Sequence, residues 1–177
     1  MRQLPMVLIM MILVAGTVPA QRPAVVEARM LLATDAAHAG STAKAAVVAE
    51  ISPDYHINDN KPTLDYLIPT ELKLEPIKEV TVTKVVYPKG ELKGFAFSDS
   101  KLSVYEGTLE VGALLAVSRT ARPGTYTLRG KFAYQACNDH ACLPPTGVPV
   151  TLAVKVVPRG TSLKSVNADV FDRINFE

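Results

Sequence analysis

Apolar and polar residues alternate along most of this chain in short runs, with turn-forming residues between them. The runs are "VEARMLLA" (26–33), "KAAVVAEI" (44–51), "TELKLE" (70–75), "VTVTKVVY" (80–87), "LSVYEG" (102–107) and "LEVGALLAVS" (109–118). Two longer runs follow. "GTYTLRGKFAYQA" (124–136) sets Tyr126, Leu128, Gly130, Phe132 and Tyr134 on one face, and "VPVTLAVKVV" (148–157) does the same with Val148, Val150, Leu152, Val154 and Val156. Successive side chains of a strand point to opposite faces, so a period of two predicts strands that bury one face. Many short strands, 13 prolines and no long amphipathic helix predict an all-β fold, an immunoglobulin-like β-sandwich.

Two connections are long for such a fold: "SPDYHINDNKPTLDYLIP" (52–69) and "PKGELKGFAFSDSK" (88–101). Loops of that length usually carry function or move. The tail "PRGTSLKSVNADVFDRINFE" (158–177) holds one short helix around 168–174. No internal repeat, low-complexity tract or second domain is visible.

The start of the chain changes the picture. "MRQLPMVLIMMILVAGTVPA" combines a cationic Arg2, an apolar run over 4–15 and the small residues Val18 and Ala20, which is the form of a secretory signal peptide cleaved after Ala20. The alternative is an uncleaved anchor, but the run is shorter than the ~20 residues a spanning helix needs, and Pro5 interrupts its start. The expected division is therefore a signal peptide over 1–20, one exported domain over 21–157 and a tail over 158–177. Loss of Arg2 reduces the 19 basic residues to 18 against 17 acidic ones, with no run of one sign. Nucleic acid and acidic membrane surfaces are poor partners for such a surface, and no stretch of the mature chain is apolar enough to enter a membrane.

Export also bears on the two cysteines, because an exported pair meets oxidising conditions. Both lie in "YQACNDHACLPP" (134–145). As a staple, Cys137 and Cys142 would close a tiny loop and restrain the unfolded chain little compared with the ~4.7 kcal/mol of a hundred-residue loop. As a metal site, Cys137, His140 and Cys142 suit zinc or a soft ion such as Cu(I), but a closed zinc site wants a fourth ligand, and His38 and His56 are distant in sequence. As an exchanging disulfide, the pair differs from thioredoxin, since Pro144 and Pro145 prevent a helix from starting after Cys142. Without a helix dipole the thiolate gains little stabilisation, which suits a carrier attacked by a better-tuned partner. Spacing alone leaves these readings open. His140 in the loop would raise the thiolate fraction of its neighbours when protonated.

"YQACNDHACLPP", with "DYHINDNKPTLDYLIPTELKL" (54–74) and "LSVYEG", resembles the N-terminal periplasmic domain of the thiol:disulfide interchange protein DsbD over about 25–157. The resemblance implies an immunoglobulin-like sandwich whose cysteines take electrons from a thioredoxin-like domain and pass them to oxidised exported proteins, among them disulfide isomerases and factors of cytochrome c maturation. Cys142 would then be the cysteine attacked and joined in the mixed disulfide, and Cys137 the resolving one. A cap loop shields the cysteines in that family; here it falls at "GFAFSDSKL" (94–102), with Phe95 or Phe97 as the cap. Tyr55, Tyr66, Tyr105 and Tyr134 are candidates to line the site or dock a partner, and Asp139 and Glu106 are candidate proton carriers. No cofactor is expected. Only a twenty-residue tail follows Val157, so the expected donor is a thioredoxin-like periplasmic domain or a membrane thiol reductase acting in trans. The competing expectations are a non-catalytic immunoglobulin-like binding domain with a structural disulfide, and a copper- or zinc-binding module.

Overall fold

The computed structural model describes residues 24–177, so the signal peptide expected at 1–20 lies outside the described residues. The first half of the chain gives β1 (Val26–Leu32), β2 (Ala37–His38), β3 (Thr42–Ile51), β4 (His56–Asn58), β5 (Glu71–Leu74) and β6 (Val80–Val86). The second half gives β7 (Glu91–Lys93), β8 (Leu102–Tyr105), β9 (Thr108–Val117), β10 (Gly124–Tyr134), β11 (Ala136–Cys137), β12 (Thr146–Val157) and one short helix, α1 (Ala168–Phe171). Every alternating run of the sequence forms a strand.

Three four-stranded sheets result, ordered β1-β3-β9-β6, β2-β12-β10-β5 and β11-β4-β8-β7. The pairings are antiparallel except for the short β2 with β12. The first two sheets pack face to face as the immunoglobulin-like sandwich. Val47, Val111 and Leu115 from one meet Leu128, Phe132 and Val154 from the other in a common core, and none of the six is exposed to solvent. Burial of side chains this size stabilises by about 1.5–3 kcal/mol each, which is what holds the period-two runs in register. β10 carries Gly130 where the edge strand β5 crosses closest, since a Cβ there would lie 2.3 Å from the carbonyl oxygen of Lys73.

The structure departs from the sequence reading in two ways that matter for the site. Each long connection contains a strand: β4 lies inside 52–69 and β7 inside 88–101, and with β8 and β11 they build the third sheet. Strands of three residues are too short to show a period. The second departure is β3, whose residues 45–49 are buried on both faces. The tail explains it. Val170, Phe171 and Ile174 pack with Leu31 over Ala46 and Val48 on the outer face of the first sheet. Gly112 admits this layer, because a Cβ there would stand 2.7 Å from Ile174 Cγ2 and 2.9 Å from Phe176 Cε1. Lys44 lies 4.8 Å above the Phe176 ring, and the Arg173 guanidinium pairs with Glu110. α1 is shorter than the helix expected over 168–174.

Candidate functional site

The third sheet ends in a hairpin that presents both sulfurs. Cys137 closes β11, and residues 138–141 form a turn held by Asn138, whose Oδ1 accepts the backbone N–H groups of His140 and Ala141, each at 2.9 Å. Two backbone bonds bracket the cysteines: Asn138 N–H to the Ala141 carbonyl at 3.0 Å and Leu143 N–H to the Ala136 carbonyl at 2.8 Å. That pattern makes Cys137 and Cys142 a non-hydrogen-bonded cross-strand pair, the kind in which facing side chains come closest. They are joined as a disulfide, with Cα atoms 3.9 Å apart. No helix directly follows Cys142; Pro144 and Pro145 lead into β12.

The two sulfurs are not equivalent. Cys137 is buried, 2% exposed, whereas Cys142 is exposed at the hairpin surface. On the other side of β11, residue His56 of β4 is the register partner of Cys137. Residues directly opposite in an antiparallel pair project to the same face. His56 is 3% exposed, and its Nε2 is enclosed without a hydrogen-bond partner. Phe95 stacks on its ring at 4.2 Å between centroids, and Phe97 stacks on Phe95 at 5.3 Å with half of its own surface open to solvent. The loop 94–102 is thus an aromatic lid over His56, with Phe95 as its inner layer and Phe97 as its outer one.

Burial is the main influence on His56 and lowers its pKa; Glu106 and Asp139 pull it upward, and Lys93 adds to the lowering. A depressed histidine leaves the unfolded chain binding more protons than the folded one, so stability rises with pH across that range. The folded protein is therefore expected to lose stability as pH falls below about 6.5, and His56→Gln removes that part of the slope. Urea titrations of both proteins between pH 7.5 and 5, a range bracketing the ordinary histidine value, check it; parallel slopes would contradict it.

Other candidates fall in different places. Tyr105 and Tyr134 are each 5% exposed and belong to the core, so neither presents a docking surface as expected from the sequence. The Tyr105 hydroxyl donates to Asp59 at 2.6 Å. Burial alone would raise the Asp59 carboxyl, but the hydroxyls of Ser103 and Tyr105 and the amides of Lys61 and Asn60 together hold it low. Asp59 also accepts the Gly90 amide at 3.3 Å, and so ties the 59–69 loop to β8 and to the approach to β7. Asp59→Ala strands these donors, and a loss of about 3 kcal/mol in denaturant unfolding is expected. Tyr55 is half-buried against the core, and Tyr66 is exposed on the 59–69 loop. Asp139 and His140 are exposed on the hairpin turn. Glu106 is engaged by Lys93.

His56 is the site residue that sequence reasoning set aside as too distant; it lies within the stretch 54–74 that carried the resemblance. For metal, the two sulfurs bond each other, and no cluster of three potential ligands gathers among the described residues, so Cys137, His140 and Cys142 do not converge as a ligand set.

The described residues thus form a β-sandwich with a cross-strand disulfide on a surface hairpin, Cys137 buried and Cys142 exposed. Residues 27–153 match the family described as "Thiol:disulfide interchange protein DsbD, N-terminal", and the chain belongs to that family. Thiol:disulfide interchange is the activity at that level. Among solved structures, the DsbD N-terminal domain of Neisseria meningitidis in the reduced form is 18% identical, covering 76% of this chain and 89% of its own, with a TM-score of 0.40. A complex of the DsbD and PilB N-terminal domains from the same organism is 21% identical, covering 68% of this chain and 79% of that one, with a TM-score of 0.39. The N-terminal periplasmic domain of ScsB from Proteus mirabilis is 14% identical, covering 72% and 44%, with a TM-score of 0.44. No individual curated protein matches the chain.

Proposed function

We propose that this domain is a periplasmic carrier of reducing equivalents, alternately oxidised and reduced at Cys137 and Cys142. The observation that supports it most is the unequal exposure of the two sulfurs. A partner thiolate reaches Cys142 first and forms the mixed disulfide there, and Cys137 leaves with the electron pair as the buried thiolate that later resolves or re-forms the bond. The donor in this reading is a thioredoxin-like periplasmic domain or a membrane thiol reductase, and the acceptors are oxidised exported proteins. Phe97 and Leu143 are exposed apolar groups beside the site that such a partner would cover, with Phe95 and Phe97 serving as the cap. Residues 21–157 form the working domain, and the twenty residues after it brace the sandwich.

The reduction potential of the pair, equilibrated against graded glutathione and dithiothreitol buffers, tests the reading. A value between about −150 and −270 mV is expected, the span of exchanging pairs. A value below about −300 mV would mark a structural bond and overturn the carrier.

A further inference from the structure

We propose that His56 accepts the proton of the Cys137 thiol and so makes the buried cysteine a competent resolving nucleophile, an inference that rests on exchange at this disulfide. The nucleophile in exchange is the thiolate, and burial in apolar surroundings disfavours it. Cys137 is 2% exposed and lies opposite His56, whose ring Phe95 covers, so little water reaches its sulfur to take the proton. A neighbouring acceptor is therefore required. His56 is opposite Cys137 in register, shares its face, and carries an enclosed Nε2 with no hydrogen-bond partner while the sulfur is oxidised. A disulfide has no S–H to offer; reduction creates one on the residue that faces His56 across β11 and β4.

The groups facing His56 fit this use. Burial keeps the imidazole neutral, ready to accept, while Glu106 from the end of β8 and Asp139 from the hairpin turn favour the imidazolium once it forms, and Lys93 from β7 opposes it. Glu106 is itself engaged by Lys93, and Asp139 and His140 stand exposed on the turn, so none of them is an enclosed, unengaged acceptor as Nε2 is. The stacked Phe95 holds the ring in place and keeps solvent from competing for it.

The step balances without any other reactant. In the mixed disulfide between Cys142 and a client, the Cys137 S–H proton passes to His56 Nε2, and the Cys137 thiolate attacks Cys142 Sγ. The bond between Cys142 Sγ and the client sulfur breaks, and the client sulfur departs with the electron pair. It then takes up the proton that the imidazolium releases, which restores neutral His56. The client is reduced, and the Cys137–Cys142 disulfide is formed.

The test uses the reduced protein and 5,5′-dithiobis(2-nitrobenzoate) in a stopped-flow mixer. Attack by Cys142 releases the first thionitrobenzoate, and resolution by Cys137 releases the second. His56→Gln is expected to leave the first release nearly unchanged and to slow the second by about a hundredfold at neutral pH, the scale of general base catalysis. The wild-type second phase should rise and level off with the titration of one group, while in the variant it keeps rising with hydroxide. His56→Asn, a second replacement, guards against misfolding and should behave alike; added imidazole should partly restore the second phase in His56→Ala. An unchanged rate and pH profile of the second phase in His56→Gln and His56→Asn would overturn the role of His56 alone. Absence of the first phase in the wild type would overturn exchange at Cys142, and this inference with it.

Discussion

Cys142→Ala is expected to abolish covalent capture of a thioredoxin-type partner, and Cys137→Ala to accumulate it. The asymmetry follows from geometry. Cys142 stands exposed on the outer arm of the hairpin, whereas Cys137 is buried opposite His56 of β4, where an incoming thiolate cannot align with its sulfur. Removal of Cys142 leaves only a thiol that no partner reaches. With Cys137 gone, Cys142 forms the mixed disulfide but nothing within the domain releases it. Each variant is first treated with 5,5′-dithiobis(2-nitrobenzoate), so that thionitrobenzoate is the leaving group when a thioredoxin lacking its own resolving cysteine attacks, and non-reducing electrophoresis reads the captured product. Equal trapping by the two variants would show that burial does not order the attack.

The second large effect lies far from the sulfurs. A chain ending at residue 157 should lose about 3–5 kcal/mol of stability, taking about 1.5–3 kcal/mol for the buried Val170 and less for the half-buried Phe171 and Ile174. Val170 is fully covered, and Phe171 and Ile174 cover Ala46 and Val48, which without them would place apolar surface of β3 in contact with solvent. A loss of that size is a large part of the 5–15 kcal/mol by which domains of this kind are held. The urea midpoint of the shortened chain reports it, and a midpoint equal to that of the whole chain would show the tail to be ornamental.

The sandwich was legible because β10 and β12 alternate over long runs, and their inward residues Leu128, Phe132, Val150, Leu152 and Val154 are those buried. The third sheet was not. β4 and β7 are three residues each and owe their existence to pairing with β8, a tertiary effect that no local pattern encodes. The same limit hid His56. It reaches Cys137 across about eighty positions of chain, and only the register of β4 on β11 brings them opposite. Tyr105 illustrates the reverse error: an aromatic residue in a matching segment reads as a docking group, while its hydroxyl is committed to Asp59 inside the protein. The unbroken apolar run "AAVVA" at 45–49 could have warned that something covers the outer face of β3, since a strand exposed on one side alternates.

Pro144 and Pro145 leave the chain beyond Cys142 without two backbone donors just where the hairpin meets open solvent. A strand from another molecule therefore finds no ladder to extend at the reactive end of the domain. What that end offers to another molecule is side chains rather than backbone bonds. The same two prolines keep this end of the domain from stacking onto its own copies.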